Sequence, residues 1–412
     1  ILSQYTKDVW LGENSRYQGV ITVLLYVAVY FAVSRGYKFS MVFAYCSIAA
    51  LCIVSAFGVL NCFDIDLLGI YSEISSANKK IYISTIGNIN FYSSYMCLLF
   101  PFVLCIFSSE KKSPVRTVCT AALFIASFGM MVTASESFVI GFVFSVLVMP
   151  FFFMSKPLRL KRFLCGIVII LMSAQLYRLI HSLAPVRNVK ISQLLRFLLH
   201  PAVTGILIAV CLAVIILLHR NEDNIKYIRV VYSVAFTVIL LTIVLLFILA
   251  NTRGIGDFNK YFKITERWGT RRGAAWMQCV SLFKDFSLKE KLFGTGPETL
   301  YHLLVATGSQ AGKNLDQAHN EYLQYLLTTG IFGLISYVSV IISTVTAVVK
   351  KLKEDIFAAA LLAGLIAFWF QSVVNMAQPF TTPIMYLFVS LIGGMYYKKR
   401  GDNEAFAEIR QN

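Results

Sequence analysis

The sequence predicts an all-α, polytopic integral membrane protein. Of its 412 residues, 58% are hydrophobic and only 14% are charged, whereas soluble domains carry about 25% charged residues. The apolar residues form long runs, and the lysines and arginines collect between them. A basic face for nucleic acid would need those cations gathered together, so no nucleic-acid partner is expected. The net charge of +16 indicates instead the basic side of a membrane.

About eleven runs are long enough to cross a bilayer, which takes roughly 20 mostly apolar residues. Lysine and arginine lie outside these runs or at their edges, which supports the assignment. In chain order the predicted spans are residues 17–34, 40–61, 89–108, 116–134, 137–154, 162–180, 200–218, 229–250, 323–349, 356–376 and 381–397.

The charges between the spans predict an orientation. The long segment 251–322 holds ten lysines and arginines, but long loops weigh little in the positive-inside rule. The other connecting segments form two alternating sets, one with 19 lysines and arginines and one with 8. The richer set is expected to be cytoplasmic, which places the long polar segment 251–322 outside. Ile1 falls on the same side, so we expect at least one further helix upstream. The predicted domains are a transmembrane bundle (1–250), a large extracytoplasmic catalytic loop (251–322), and C-terminal helices with a short cytoplasmic tail (323–412).

The cysteines do not indicate a metal site. Most of the nine cysteines fall inside or beside apolar runs, where cysteine behaves as a small buried hydrophobe. The sequence has no pair of cysteines or cysteine–histidine group at zinc spacing. We therefore expect no metal and no cofactor.

The polar segment 251–322 is the expected place for chemistry. Apolar residues recur at helical spacing across 272–284, at Trp276, Cys279, Val280 and Phe283, which predicts a short amphipathic helix on the outer membrane interface. Arg271 and Arg272 stand at its start. Cations are unfavourable there unless an anion lies between them, although a lipid-headgroup contact explains them equally well.

His319 is the candidate general base. It lies at the N-terminal end of the predicted span 323–349, where the helix dipole disfavours imidazolium. Neutral imidazole is the form that accepts a proton. Glu321 and Asp316 are the nearby carboxylates that could orient the ring or oppose the dipole. A lone histidine is more often structural.

Two further charged residues lie at predicted outer boundaries. Glu136 sits in the short turn between two spans, where a carboxylate is costly unless it meets a polar cavity or a partner. It could also be a turn residue that reaches water. Arg16 lies between Gly12 and Gly19, and snorkelling to the interface alone could account for it.

Taken in order, these motifs resemble the O-antigen ligase and polymerase superfamily of bacterial membrane glycosyltransferases. The most specific stretch is residues 271–338, and weaker agreements lie around Arg16, at residues 87–90 and at residues 133–137. The specific stretch contains Arg272-Gly273 with Trp276 four residues on, Gly294-Thr295-Gly296-Pro297, Ala318-His319-Asn320-Glu321-Tyr322-Leu323-Gln324 and Gly330-Ile331-Phe332-Gly333-Leu334. Gly330 and Gly333 lie inside the predicted span 323–349 and are expected to be helix-packing positions.

The resemblance implies a GT-C-like fold and an activity. Members take a glycan from an undecaprenyl diphosphate-linked oligosaccharide and join it to an acceptor hydroxyl, without a metal or a nucleotide sugar at the site. The resemblance also implies that His319 is the general base and that Arg272 helps to bind the donor diphosphate. Asn320 and Glu321 are expected to orient His319 or the acceptor.

One position departs from the ligase pattern. Ligases often carry arginine in the Thr-x-Ser turn, where this chain has Glu136. A second arginine for the diphosphate is therefore missing there. Either Arg16 or Arg271 replaces it, or Glu136 contacts sugar hydroxyls instead.

We therefore predict a metal-independent, inverting glycosyltransferase at the outer face of a bacterial cytoplasmic membrane. It would transfer or polymerise a glycan onto a glycan, lipid or protein acceptor among the membrane lipids. The sequence does not separate a ligase, a polymerase and a protein O-oligosaccharyltransferase. The alternatives from other classes are a transporter or flippase for lipid-linked glycans and a membrane scaffold without catalysis. The near absence of ionisable residues within the spans disfavours an ion-coupled transporter.

Overall fold

The structure is a computed structural model, and the residues it describes form helices joined by turns. The described residues are 6–12, 17–36, 40–75, 78–109, 112–133, 135–183, 192–306, 317–350, 352 and 355–411. Their α-helices are α1 (Thr6–Leu11), α2 (Val20–Gly36), α3 (Val42–Cys62), α4 (Ile70–Glu73), α5 (Ile89–Ser109), α6 (Ser113–Met131), α7 (Glu136–Val148), α8 (Pro150–Phe153), α9 (Pro157–Leu183), α10 (Gln193–Leu198), α11 (Pro201–Arg220), α12 (Asn224–Thr252), α13 (Asn259–Phe262), α14 (Trp268–Asp285), α15 (Leu288–Phe293), α16 (Leu300–Ala306), α17 (Glu321–Thr328), α18 (Gly330–Val349), α19 (Ile356–Gln371) and α20 (Thr382–Gln411).

The chain forms two compact units that alternate along the sequence. The loop unit comprises Ile1–Tyr30, Ile228–Val345 and Ser372–Thr382. The bundle unit comprises Phe31–Tyr227, Thr346–Gln371 and Pro383–Asn412. The division into domains at 1–250, 251–322 and 323–412 stays a prediction.

The membrane-spanning character is confirmed, but the count of eleven spans is not. Among the described residues, nine helices are long and apolar enough to cross a bilayer. The other two predicted spans correspond to α2 and to Thr382–Tyr396 within α20, which are apolar but shorter. The polytopic all-α class therefore stands.

The bundle unit is built around α5. This helix is 94% buried over its most apolar stretch and packs against α6, α7, α9 and α19. Glycines allow the helices of this unit to pack closely against one another. A Cβ added at Gly364 would lie 2.2 Å from the carbonyl oxygen of Leu98, and one at Gly141 would lie 2.4 Å from that of Ala367. Such glycine contacts are typical of helices packed in membranes.

The predicted span 323–349 is wrong in one respect, because the chain breaks before it enters the long helix. Helix α17 ends at Thr328, and α18 begins at Gly330 with a left-handed backbone (φ +69°). Gly330 is therefore a break rather than a packing position within a continuous helix. The cause is a turn from elsewhere in the loop unit, described below, which packs its backbone against this point.

Candidate functional site

The chain around His319 is fixed by the first turn of α17. The Asn320 side-chain oxygen accepts a hydrogen bond from the Leu323 N–H (3.0 Å), so Asn320 is the N-cap. The Gln324 side chain accepts one from the Ala318 N–H (3.0 Å). His319 itself is half-buried and left-handed (φ +49°). The predicted place of His319 at a helix N-terminus is confirmed, although that helix is α17.

A small core holds Ala318 and α17 against the rest of the loop unit. The buried members come from α14, α16, α17 and the segments beside them. They are Cys279, Phe286, Leu300, Leu304, Ala318 and Leu327. Burying such side chains is worth about 1.5–3 kcal/mol for each large one. This core therefore anchors the residue directly before His319.

This core also corrects the prediction for the helix at 272–284. A helix is present there, but Cys279 is 1% exposed and Phe283 packs against the same core. Two residues of the apolar face that was expected to lie on the membrane, Cys279 and Phe283, are therefore covered by the core that α16 and α17 share. Val280, from the same predicted face, is exposed, and so is Met277.

The Gly294–Gly296 turn fixes the other end of α17. The Thr295 and Gly296 N–H groups donate to the carbonyl oxygens of Leu327 (3.2 Å) and Thr328 (2.8 Å). Gly294 is left-handed (φ +73°), and a Cβ on it would lie 2.3 Å from the Thr328 carbonyl oxygen. A side chain cannot fit there. The turn therefore caps the carbonyl end of α17 and causes the break before Gly330.

Glu321 is buried directly after the N-cap. Its side chain is 1% exposed, and within the described residues neither carboxyl oxygen makes a hydrogen bond of ordinary geometry. Burial raises the pKa of Glu321 to about 7, although the nearby hydroxyl groups of Tyr337 and Ser372 favour the charged form. Tyr26 lies close enough to interact with this carboxyl group electrostatically. The sequence predicts that Glu321 orients either His319 or the acceptor, and a buried side chain fits the first of these roles better.

A second polar pair lies beside the same segment. The Gln317 amide donates to the Glu298 carboxylate at 3.4 Å, and both side chains are buried. Glu298 is left-handed (φ +61°). The pair links the turn after Gly296 to the residues that precede His319.

Arg271 and Arg272 stand at a sharp turn that opens α14. Gly269, Thr270 and Arg271 all have left-handed backbones (φ +57°, +59° and +74°), and regular helix begins at Arg272. Left-handed residues other than glycine cost roughly 1–2 kcal/mol each. Arg271 is exposed and Arg272 half-buried. Helix α14 packs against α17, so the turn belongs to the same group of helices as His319.

Two predicted site residues, Arg16 and Glu136, are not among the described residues of the loop unit. Arg16 lies outside the described residues. Glu136 belongs to the bundle unit and is exposed in the first turn of α7, where a carboxylate complements the helix dipole. In that unit the Ser135 hydroxyl donates to the Asn90 side chain at 3.4 Å, which joins two of the weaker motifs.

The sequence did not identify four polar residues near the site. Glu298, Gln317, Tyr337 and Ser372 lie up to 53 residues from His319. Ser372 carried a detectable signal, because it lies in a group of polar residues between two apolar runs. These residues, all buried in the structure, are Gln371, Ser372, Asn375, Gln378, Thr381 and Thr382.

The fold and the site define a multi-pass membrane protein whose loop unit presents a histidine at a helix start. Residues 200–338 match the model of the O-antigen ligase family, Wzy_C. The matched region runs from α11 into α18 and contains Arg271, Arg272, His319, Asn320 and Glu321. This match confirms the resemblance to that superfamily. No curated protein was found to match the chain.

Proposed function

We propose that the chain is a glycosyltransferase that takes a glycan from an undecaprenyl diphosphate-linked donor and joins it to an acceptor hydroxyl. The family match indicates O-antigen ligase or polymerase-type function. The observation that carries the proposal is the fixed position of His319, held by the Asn320 cap and by buried Ala318. The reaction would take place at the outer face of a bacterial cytoplasmic membrane.

The position of Arg272 supports its proposed role towards the donor. Arg272 begins the regular part of α14, and Cys279 lies seven residues later in the core shared with Ala318. The rise along a helix places these two residues about 10 Å apart. Arg272 thus begins the helix that shares a core with the residue directly before His319. Guanidinium can bind a diphosphate through two parallel hydrogen bonds without a divalent ion.

The proposed reaction is a single displacement with inversion. His319 accepts the proton of the acceptor hydroxyl, and the acceptor oxygen forms a bond to the anomeric carbon. The bond from that carbon to the diphosphate oxygen breaks, and the leaving undecaprenyl diphosphate keeps the electron pair. Arg272 and Arg271 stabilise the charge that develops on it. No metal takes part in this scheme.

The remaining predicted residues receive supporting roles. Asn320 positions His319 through the cap, and Glu321 positions α17 from within the protein. Arg16 is the other candidate for the missing diphosphate arginine. Glu136 is exposed and is the candidate for contacts with sugar hydroxyls.

The test compares histidine variants of the full chain in nanodiscs. Loss of a general base typically lowers the reaction rate by 10²-fold or more. His319→Ala should therefore lower the rate of release of free undecaprenyl diphosphate by about that factor. His302→Ala, a half-buried histidine on α16 of the same unit, is the matched control and should retain release. If His319→Ala keeps wild-type turnover, His319 is not the base.

The arginine assignment has its own test. Arg272→Ala should lower release strongly, and Arg272→Lys should restore only part of it, because lysine keeps the charge but loses the two-pronged geometry. The Michaelis constant for the donor should rise in both variants. A fall in turnover with no dependence on donor concentration would contradict a role in donor binding.

A further inference from the structure

A basic and aromatic segment follows α12 at the end of its span. Over its most apolar stretch α12 is only 6% buried, so lipid is its expected surrounding. No charged residue lies between Arg229 and Arg253, a distance of about 36 Å along a helix. The hydrocarbon core is about 30 Å thick. Arg253 therefore lies at a membrane surface, and so does the segment 253–268, called the interfacial segment here.

The interfacial segment is folded back onto the end of α12. The Asn251 amide group donates to the carbonyl oxygens of Phe247 (2.8 Å) and Phe262 (2.9 Å), and its oxygen accepts from the Ile264 N–H (2.9 Å). The Phe247 ring meets the rings of Phe262 and Trp268 edge-on at 5.2 and 6.4 Å. The segment is thus an ordered structure held at the depth of the helix end.

Its outward surface combines cations with large aromatic side chains. Phe258 is 60% exposed and Tyr261 is 55% exposed. The Lys260 ammonium lies 4.7 Å from the centre of the Tyr261 ring. Four cations and two carboxylates are all exposed, namely Arg253, Lys260, Lys263 and Arg267 with Asp257 and Glu266.

The charge of this surface is not neutralised from within. Within the part of the chain that the structure describes, none of the four cations forms a salt bridge, and the segment carries a net charge of +2. Exposed aromatic rings beside cations at a helix end are typical of the headgroup level of a membrane. Anionic headgroups complement both the charge and the depth.

We propose that the interfacial segment binds the headgroups of anionic phospholipids. The cations contact lipid phosphates, and Phe258 and Tyr261 insert at the boundary of the acyl chains. The proposal does not depend on the glycosyltransferase reaction, because the segment ends before Arg271 and contains none of the proposed catalytic or donor-binding residues. Its failure and that of the proposed function are therefore separate results.

The test measures lipid selectivity in the full chain. The protein is reconstituted in phosphatidylcholine nanodiscs, and the association of spin-labelled phosphatidylglycerol is compared with that of spin-labelled phosphatidylcholine. The wild type should prefer phosphatidylglycerol. Lys260→Gln with Lys263→Gln should lower that preference by about fivefold for each cation, equivalent to ~1 kcal/mol. Both side chains are exposed, so the fold should be kept.

A matched variant controls for the loss of two lysines. Lys284→Gln with Lys289→Gln removes two exposed lysines from α14 and α15 and should leave the preference unchanged. Equal association of both lipids with the wild type, or equal losses in the two double variants, would overturn the proposal. So would a dependence on Lys260 and Lys263 that is found only for undecaprenyl diphosphate, since the surface would then serve the donor.

Discussion

The buried carboxyl group of Glu321 makes a quantitative prediction about pH and stability. Its pKa rises from 4.5 to about 7 in the folded protein. At 1.36 kcal/mol per pKa unit, this shift corresponds to about 3 kcal/mol in the free energy of unfolding. Because the pKa is higher in the folded protein than in the unfolded chain, this group contributes most to stability while it is protonated. Its contribution to the free energy of unfolding is fully present below pH 4.5 and is lost as the pH rises through about 7. The wild-type protein should therefore be less stable at pH 8 than at pH 5 by about that amount from this group alone.

Glu321→Gln removes this loss, because glutamine has a similar shape and does not ionise. The variant should match the wild type near pH 5 and unfold a few degrees higher at pH 8. Thermal unfolding of the purified protein, followed by tryptophan fluorescence from pH 4.5 to 8.5, measures both curves. A difference in melting temperature that stays constant over this range would refute the assignment of a buried, proton-binding carboxyl group.

Three other changes test the supports of the site. Asn320→Ala should lower the free energy of unfolding by about 1 kcal/mol because the N-cap is lost, and Asn320→Ser should restore that stability because serine also caps helices. Thermal unfolding measures both variants. Gly294→Ala should lower the free energy of unfolding by more than about 1 kcal/mol, because the backbone at Gly294 is left-handed and crowded. Gly205→Ala is the control: Gly205 lies in open space on α11, so this change should stabilise the protein or leave its stability unchanged. Hydrogen bonds from Ser287 lower the pKa of Glu290, so Glu290→Ala should destabilise the protein at neutral pH, and the deficit should shrink as the pH falls through that lowered pKa.

The sequence was sufficient to predict the fold class and the place of His319. Runs of apolar residues locate spans because the bilayer sets their length. The place of His319 follows from the apolar run 323–349, because that run begins just after it. Both signals are local, so they can be read from a few neighbouring residues.

The break at Gly330 and the burial of Glu321 could not be predicted in this way. Glycine in an apolar run is equally typical of helix packing, and only contact with the distant Gly294 turn distinguishes the two. Glu321 follows a polar motif, which suggests exposure, but residues as far away as Tyr337 and Ser372 cover it. These features depend on contacts between remote parts of the chain.

The proposed function requires that the protein break the bond between a glycan and its lipid diphosphate. The most direct measurement incubates the purified chain in nanodiscs with undecaprenyl diphosphate oligosaccharides and EDTA, and follows the carrier lipid by mass spectrometry. Free undecaprenyl diphosphate is expected, together with a glycan product whose mass identifies a polymer or a ligated acceptor. Intact donor that only appears on the opposite leaflet would contradict it and indicate a transporter.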